Sequence, residues 1–175
     1  MSTPNIYRKH WLFILPILSI FLYACPIYTT EPMPPETSYT PLFMTRAQLE
    51  SSVKSITSQK LLEPGKMLVY QNYIFLVEKY QGVHVIDNSN PAVPTKVSFI
   101  RVPGCIDIAS KDNFLFVDNA VDLVTLNISN VTQITVVSRQ RDAFPELYPP
   151  DLGYLPYIYR VSNREEGLII VGWEK

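Results

Sequence analysis

Three acidic residues of this sequence have the side-chain type and the spacing that catalysis or metal binding could use. Glu78 and Asp118 each follow the second predicted strand of a repeated unit, and Asp122 lies four residues beyond Asp118. Two carboxylates at a suitable separation can hydrolyse a glycosidic bond, and carboxylate oxygens also suit calcium. The spacing of Asp118 and Asp122 does not match the calcium-binding loop of an EF-hand. We therefore interpret the acids as solvated turn residues, with a hydrolase or lyase acting on surface glycans as the alternative.

Histidine and cysteine offer no second site. His84 lies within a predicted strand, and Val124 holds its position in the second unit, so the sequence predicts no pair of histidines. Cys105 stands where an apolar residue is expected, which predicts a buried structural thiol. The sequence contains no serine-nucleophile motif, zinc motif or phosphate-binding loop. We predict a protein without catalytic, cofactor-binding or metal-binding residues, and therefore not an enzyme.

The strands that position these residues belong to two consecutive copies of one unit. Phe75 corresponds to Phe116 at an offset of 41, and Ser89 corresponds to Ser129 at an offset of 40. Each unit has four short apolar runs divided by turns rich in asparagine, serine, glycine and proline, which are typical of strand ends. A period of about 40 residues is typical of propeller blades. The sequence therefore predicts an all-β, propeller-like fold of tandem four-stranded repeats.

The segments outside the two units predict one helix and one strand. Thr45 and Gln48 fit a capping box, which predicts a short N-terminal helix through about Lys54. Residues 140–175 are rich in tyrosine and proline, whose rings would either cover the sheet or offer a binding surface. They include a clear strand over 168–171, expected either in a third blade or paired into an earlier unit. About two units plus a C-terminal strand cannot close a ring, because closed propellers have about 4–8 blades. An open stack, an assembly of copies and a truncated fragment of a longer propeller protein are the three explanations.

Residues 83–91 carry a family resemblance. They read VHVIDNSNP and resemble the motif of LVIVD-repeat proteins, a bacterial family. The second copy departs from that motif, with Asn127 where the motif has aspartate and Val131 where it often has proline. The resemblance spans about residues 42–175 and implies a β-propeller-like fold, with a lipid anchor in some members. It implies no activity, ligand or cofactor.

The N-terminus has the pattern of a lipoprotein signal. Arg8 and Lys9 precede an apolar run over 11–24, which is shorter than the ~20 residues of a membrane-spanning helix. The sequence Leu22-Tyr23-Ala24-Cys25 resembles the lipobox of bacterial lipoproteins, although its tyrosine departs from the usual small residue. Alanine supplies the small residue before the cut, and cysteine supplies the thiol that accepts the lipid. We predict lipid attachment at Cys25, with an uncleaved anchor and ordinary secretion as alternatives.

These signals divide the chain into three parts. Residues 1–24 are predicted to be a lipoprotein signal peptide, and residues 25–41 a proline-rich tether. Residues 42–175 are predicted to form the β-repeat domain. Its repeats cover about 65–103 and 104–139, and an irregular tail follows at 140–175.

Charge limits the class of partner. Lys and Arg number 15 against 16 Asp and Glu, a net charge of −1, whereas nucleic-acid binding needs a basic face. Two cysteines are too few for a disulfide framework. We expect a non-catalytic binding or scaffold module that a lipid on Cys25 holds at the cell envelope, on the bacterial outer membrane or cell surface. Its expected partner is a protein or a glycan, and a homo-oligomer is an open option.

Overall fold

The computed structural model of the chain describes residues 36–175. Cys25, the predicted signal peptide and most of the predicted tether lie outside these described residues. Within them, no helix is long and apolar enough to cross a membrane. The chain is mostly β, as predicted. Its elements are β1 (Thr40–Thr45), α1 (Arg46–Ser51), β2 (Lys54–Ile56), β3 (Pro64–Tyr70), β4 (Tyr73–Glu78), β5 (Gly82–Asp87), β6 (Thr95–Arg101), β7 (Ile108–Lys111), β8 (Phe114–Asn119), β9 (Asp122–Asn127), β10 (Thr135–Gln140), two 3₁₀ turns (Tyr157–Tyr159 and Val161–Asn163) and β11 (Leu168–Glu174).

The strands form three antiparallel sheets. Sheet I has the order β2-β6-β5-β4-β3, sheet II has the order β10-β9-β8-β7, and the terminal sheet pairs β1 with β11. Strands β3–β6 and β7–β10 are each meanders, because short turns join successive antiparallel strands. The two predicted units therefore fold as two separate sheets, and no closed barrel forms within residues 36–175.

Corresponding strands of sheets I and II keep the offsets read from the sequence. Strands β4 and β8 start at positions 73 and 114, which repeats the offset between Phe75 and Phe116. Strands β5 and β9 start at positions 82 and 122, which repeats the offset between Ser89 and Ser129. The first strand of the second unit, expected over 106–109, begins two residues later as β7. The reason is that the backbone amides just before β7 donate to the Asp118 carboxylate, outside the β7–β8 ladder.

Alternating side chains give each sheet two faces, which we call front and back. The front of sheet I carries Phe75 of β4, and the front of sheet II carries its counterpart Phe116 of β8. The back of sheet II carries Leu115 and Val117. The main core lies between the front of sheet I and the back of sheet II. Its fully buried members from β4, β5, β8 and β9 are Phe75, Val77, Val83, Val85, Leu115, Val117, Val124 and Leu126.

The two sheets are therefore stacked head-to-tail. A sandwich of two symmetry-related sheets would bury the same face of both, whereas this core joins the front of one sheet to the back of the next. The stack leaves the back of sheet I and the front of sheet II as its two outer faces. One of these outer faces, the front of sheet II, forms a wall of the candidate site.

The terminal sheet corrects the expectation for the last strand. The strand over 168–171 was expected in a third blade or in an earlier unit, but β11 pairs with β1, with Thr40 opposite Glu174 and Thr45 opposite Leu168. Strand β1 gives no alternating sequence signal because a register shift after Leu42 interrupts its pairing. Its first two residues also fall in the predicted tether.

The predicted capping box at the start of α1 is confirmed. Gln48 N donates to Thr45 Oγ1 at 3.3 Å, and Thr45 N donates to Gln48 Oε1 at 2.8 Å. The helix ends at Ser51, earlier than predicted. Leu49 is fully buried in a second core with Ile170 and Trp173 of the terminal sheet, so α1 fixes that sheet to the rest of the fold.

Replacing Gly82 with alanine should lower the free energy of unfolding by about 1–3 kcal/mol, because the added methyl overpacks the sheet. Gly82 has φ +147°, and a Cβ there would lie 2.0 Å from the carbonyl oxygen of Ile100. Urea unfolding measures the loss. Gly153→Ala is the control, since nothing lies within 4 Å of its added Cβ. Equal losses in the two variants would contradict the close packing of β5 on β6.

Candidate binding cleft

The front of sheet II forms one wall of an open, apolar cleft. Ala109, Phe116 and Leu123 supply the apolar part of this wall, and Asp118 supplies a carboxylate. Residues 144–148, which we call the strap, form the opposite wall. The cleft has a volume of about 490 Å³, within the range of small-molecule sites.

Hydrogen bonds hold the strap in place at both ends. Phe144 N donates to the carbonyl oxygen of Val121 at 2.9 Å. Trp173 Nε1 donates to the carbonyl oxygen of Leu147 at 3.1 Å, and both of these side chains are buried in the second core. Phe144 and Tyr148 remain exposed, so the strap presents aromatic surface. The cleft is therefore largely preformed.

Three carboxylates line the cleft, and they differ in their counter-charges. Glu146 forms an ion pair with Arg164, and Asp107 forms one with Lys66 at 2.5 Å. Asp118 is only 8% exposed, and no ion pair to it exists in the described part of the chain. Asp118 is therefore the carboxylate that lacks a cation.

Backbone amides hold the Asp118 carboxylate. Ile106 N donates to Oδ1 and Oδ2 at 2.9 and 3.1 Å, and Asp107 N donates to Oδ1 at 2.9 Å. Burial raises the pKa of Asp118, and these hydrogen bonds oppose the shift without cancelling it. The carboxylate therefore releases its proton at a higher pH than an exposed aspartate does.

The free energy of unfolding should fall as pH rises through the folded-state pKa of Asp118, and Asp118→Asn should remove that part of the pH dependence. A pKa raised by folding contributes stability that is fully present below the unfolded-state pKa and is lost as pH rises through the folded-state pKa. Urea unfolding of both chains from acid to neutral pH measures the effect. The control Asp151→Asn removes a carboxylate whose pKa is lowered by hydrogen bonds from Thr37 and Ser38, and should change the pH dependence with the opposite sign. Identical pH dependence in wild type and Asp118→Asn would contradict the prediction.

Cys105 is buried beside this site, as predicted. It belongs to the main core and is 0% exposed, and its Sγ donates to the carbonyl oxygen of Asp107 at 3.7 Å. Burial raises the pKa of the Cys105 thiol well above its ordinary value. The thiolate form is therefore disfavoured, which favours a structural role for this thiol.

Glu78 and His84 form a buried pair away from the cleft. Their Oε2 and Nε2 atoms lie 3.0 Å apart, and Leu62 N and Glu63 N also donate to the Glu78 carboxylate. Burial by itself would raise the pKa of Glu78, but these donors outweigh it and lower the pKa. His84 Nδ1 has no hydrogen-bond partner among residues 36–175. The pair fixes the loop before β3 to sheet I.

Asp122 is the centre of a buried ion-pair network. Arg46 of α1 and Arg139 of β10 each donate to its carboxylate at 2.7 Å, and Asp142 N donates at 3.1 Å. Burial raises the pKa of Asp122, but the two guanidinium groups outweigh burial and lower it. Arg139 also donates to Asn119 at 2.8 Å. The network joins the helix, sheet II and the start of the tail.

The interpretation of the three acids as solvated turn residues is wrong. Glu78, Asp118 and Asp122 lie within strands and are between 0% and 8% exposed. Ion pairs and backbone amides satisfy their charges inside the protein, which the sequence spacing does not reveal. Glu78 and Asp118 are not counterparts, because Glu78 points to the back of sheet I and Asp118 to the front of sheet II. Only Asp118 lines the cleft, so the three acids do not form a catalytic pair.

Sequence reasoning missed the residues that complete the cleft. Asp107 and Glu146 were not singled out, because only the fold brings them to the front of sheet II. The tyrosine-proline composition of residues 140–175 was compatible with a binding surface or with rings that cover the sheet, and the strap lies within that segment. In the described part of the chain, no group of three or more His, Cys, Asp or Glu side chains could hold a metal ion. Comparisons with protein-family models, curated proteins and solved structures found no match to this chain.

Proposed function

We propose that the chain is an exported, lipid-anchored β-repeat protein of the propeller type that acts as a non-catalytic binding or scaffold module at the cell envelope. The observation that carries this proposal is the open apolar cleft between the front of sheet II and the strap. The head-to-tail stacking of sheets I and II supports the propeller type, since propeller blades stack front to back around a ring. The resemblance of residues 83–91 to LVIVD repeats supports the family.

The cleft suits an apolar protein surface that carries a positive charge. Phe116 and Leu123 provide apolar area on the sheet, and the strap adds aromatic side chains. Asp118 is buried without a counter-charge, so a cation that enters the cleft would find an unpaired carboxylate. Asp122 is enclosed by ion pairs with Arg46 and Arg139, and Glu78 is held by His84 and two backbone amides, which favours binding over acid–base catalysis.

A neutral apolar dye tests the cleft. N-phenyl-1-naphthylamine should increase its fluorescence when added to the dilute full chain, and Leu123→Glu should abolish the increase, because a carboxylate would then stand in the apolar wall. Val93→Glu is the control, since Val93 is 65% exposed in the turn between β5 and β6. No increase with the wild type, or an unchanged increase with Leu123→Glu, would remove the basis for the proposal.

A fatty-acid label tests the anchor. A bacterial host fed an alkyne-bearing fatty acid should label the full chain, and Cys25→Ser should lose both the label and the membrane association. Cys105→Ser is the matched control and should keep both, because its thiol is buried in the folded domain. Label retained in Cys25→Ser would overturn the lipid attachment without affecting the cleft.

A further inference from the structure

At β3, the back of sheet I is exposed where its counterpart in sheet II is buried, whereas His84 of β5 and Phe99 of β6 are buried on the same face. Met67 and Val69 of β3 are 61% and 63% exposed. Ile108 of β7 corresponds to Met67 in the repeat and is only 2% exposed, because it belongs to the core that joins the two sheets. The β3 edge of this face thus presents the apolar surface of a face that receives another sheet, and no sheet formed by residues 36–175 covers it.

The front of sheet II shows the complementary difference. Phe75 and Val83 on the front of sheet I are fully buried. Their counterparts Phe116 and Leu123 are only partly buried and line the cleft. The back of sheet I corresponds to the buried back of sheet II, and the front of sheet II corresponds to the buried front of sheet I. The two outer faces are therefore of the same two kinds that pack together inside the stack.

The junction between sheets I and II contains an ion pair that a junction between two copies could repeat. Lys66 Nζ contacts Asp107 Oδ1 at 2.5 Å, across the junction between sheets I and II. Lys66 and Asp107 hold corresponding positions, one residue before Met67 and Ile108. The same ion pair could therefore form again between Asp107 of one copy and Lys66 of the next, with the two roles exchanged. Lysine has three donors and aspartate two acceptor oxygens, so each could serve both contacts.

We propose that a second copy of this chain docks the exposed β3 edge of the back of its sheet I in the cleft on the front of sheet II, beside the strap, and so continues the head-to-tail stack. This inference rests on the proposed function, because it names the partner of the same cleft. Lys66 of the second copy brings a further positive charge to Asp107 at the cleft, and its Met67 and Val69 supply the apolar surface. A head-to-tail contact between identical chains closes into a ring or continues as a filament. Rings of about 4–8 blades would need about two to four copies.

Paired face variants test this docking in the full chain. Light scattering after size exclusion, corrected for bound detergent, should give a mass above that of one chain, rising with concentration. Val69→Glu disables the back of sheet I, and Leu123→Glu disables the front of sheet II. Each should weaken self-association at least about tenfold, since a carboxylate would be buried without a partner. Mixed in equal amounts, they should form a dimer and nothing larger, because each retains the face that the other lacks.

Matched controls separate this proposal from the proposed function. Val93→Glu makes the same substitution at nearly the same exposure on a different surface and should assemble like wild type. Met67→Glu provides a second back-face variant, and circular dichroism verifies the fold of each. A single-chain mass for wild type at all concentrations, or no dimer in the mixture, would overturn the docking. If either of these results is found and Val69→Glu still binds the apolar dye, the proposed binding function stands without a second copy. If neither the wild type nor any variant binds the dye, the proposed binding function is overturned.

Discussion

Replacing Asp122 with asparagine should lower the free energy of unfolding of the full chain by about 3–5 kcal/mol, because removing one partner leaves buried charges uncompensated. Asp122 is 0% exposed, whereas Arg139 is 13% and Arg46 is 30% exposed at the side chain. Asparagine has nearly the same shape, so it would leave Arg139 without a negative charge and Arg46 with only the exposed Asp142. Urea unfolding at neutral pH measures the difference.

The matched control for this prediction is Asp142→Asn. Asp142 also pairs with Arg46, at 2.8 Å, but it is 73% exposed, so its loss should cost less than about 1 kcal/mol. Lowering the pH should reproduce the Asp122 effect. A pKa lowered by folding contributes stability above the unfolded-state pKa, and this stability is lost as pH falls through the folded-state pKa. Comparable losses for Asp122→Asn and Asp142→Asn at neutral pH would contradict the network's central role.

Phe75→Ala should lower the free energy of unfolding by about 3–5 kcal/mol, the cost of a large cavity in a packed core. Phe75 is fully buried between the front of sheet I and the back of sheet II. Its repeat counterpart Phe116 lies on the cleft wall, so Phe116→Ala should cost only about 1–2 kcal/mol. Chemical denaturation measures both changes, which are made in the Val69→Glu background so that assembly does not contribute.

The difference between these two phenylalanines tests the direction of stacking. They hold the same position in the repeat and the same face of their sheets, but only one meets another sheet. If Phe116→Ala cost as much as Phe75→Ala, the front of sheet II would also be packed, and the head-to-tail arrangement would be incorrect. If both costs were small, the core between the sheets would be incorrect as well.

Local sequence features predicted the elements of this fold but not all of their partners. The offsets at Phe75 and Ser89 predicted corresponding strands, since turn residues and alternating apolar side chains are local signals. The capping box at Thr45 predicted α1 for the same reason. The pairing of β1 with β11 was not predictable, because it joins segments at opposite ends of the described chain and β1 has an interrupted register.

The candidate site was less predictable than the fold. Spacing singled out Asp118, but the environment that distinguishes it from Asp122 is set by Arg46 and Arg139, which are distant in sequence. The cleft requires the strap to lie over the front of sheet II, and Trp173 near the end of the chain holds it there. Composition indicated that residues 140–175 supply many aromatic rings, and only tertiary structure shows which rings are covered and which are exposed.

The terminal sheet also determines the order in which the chain can fold. Sheets I and II are built from neighbouring strands, so each can form soon after its own residues are available. Strands β1 and β11 must first close a loop that contains nearly all of the described chain, and the entropy of that closure makes such contacts slow. We therefore expect the strap and the second core to become ordered last, so that the cleft becomes competent to bind only when the whole domain has folded.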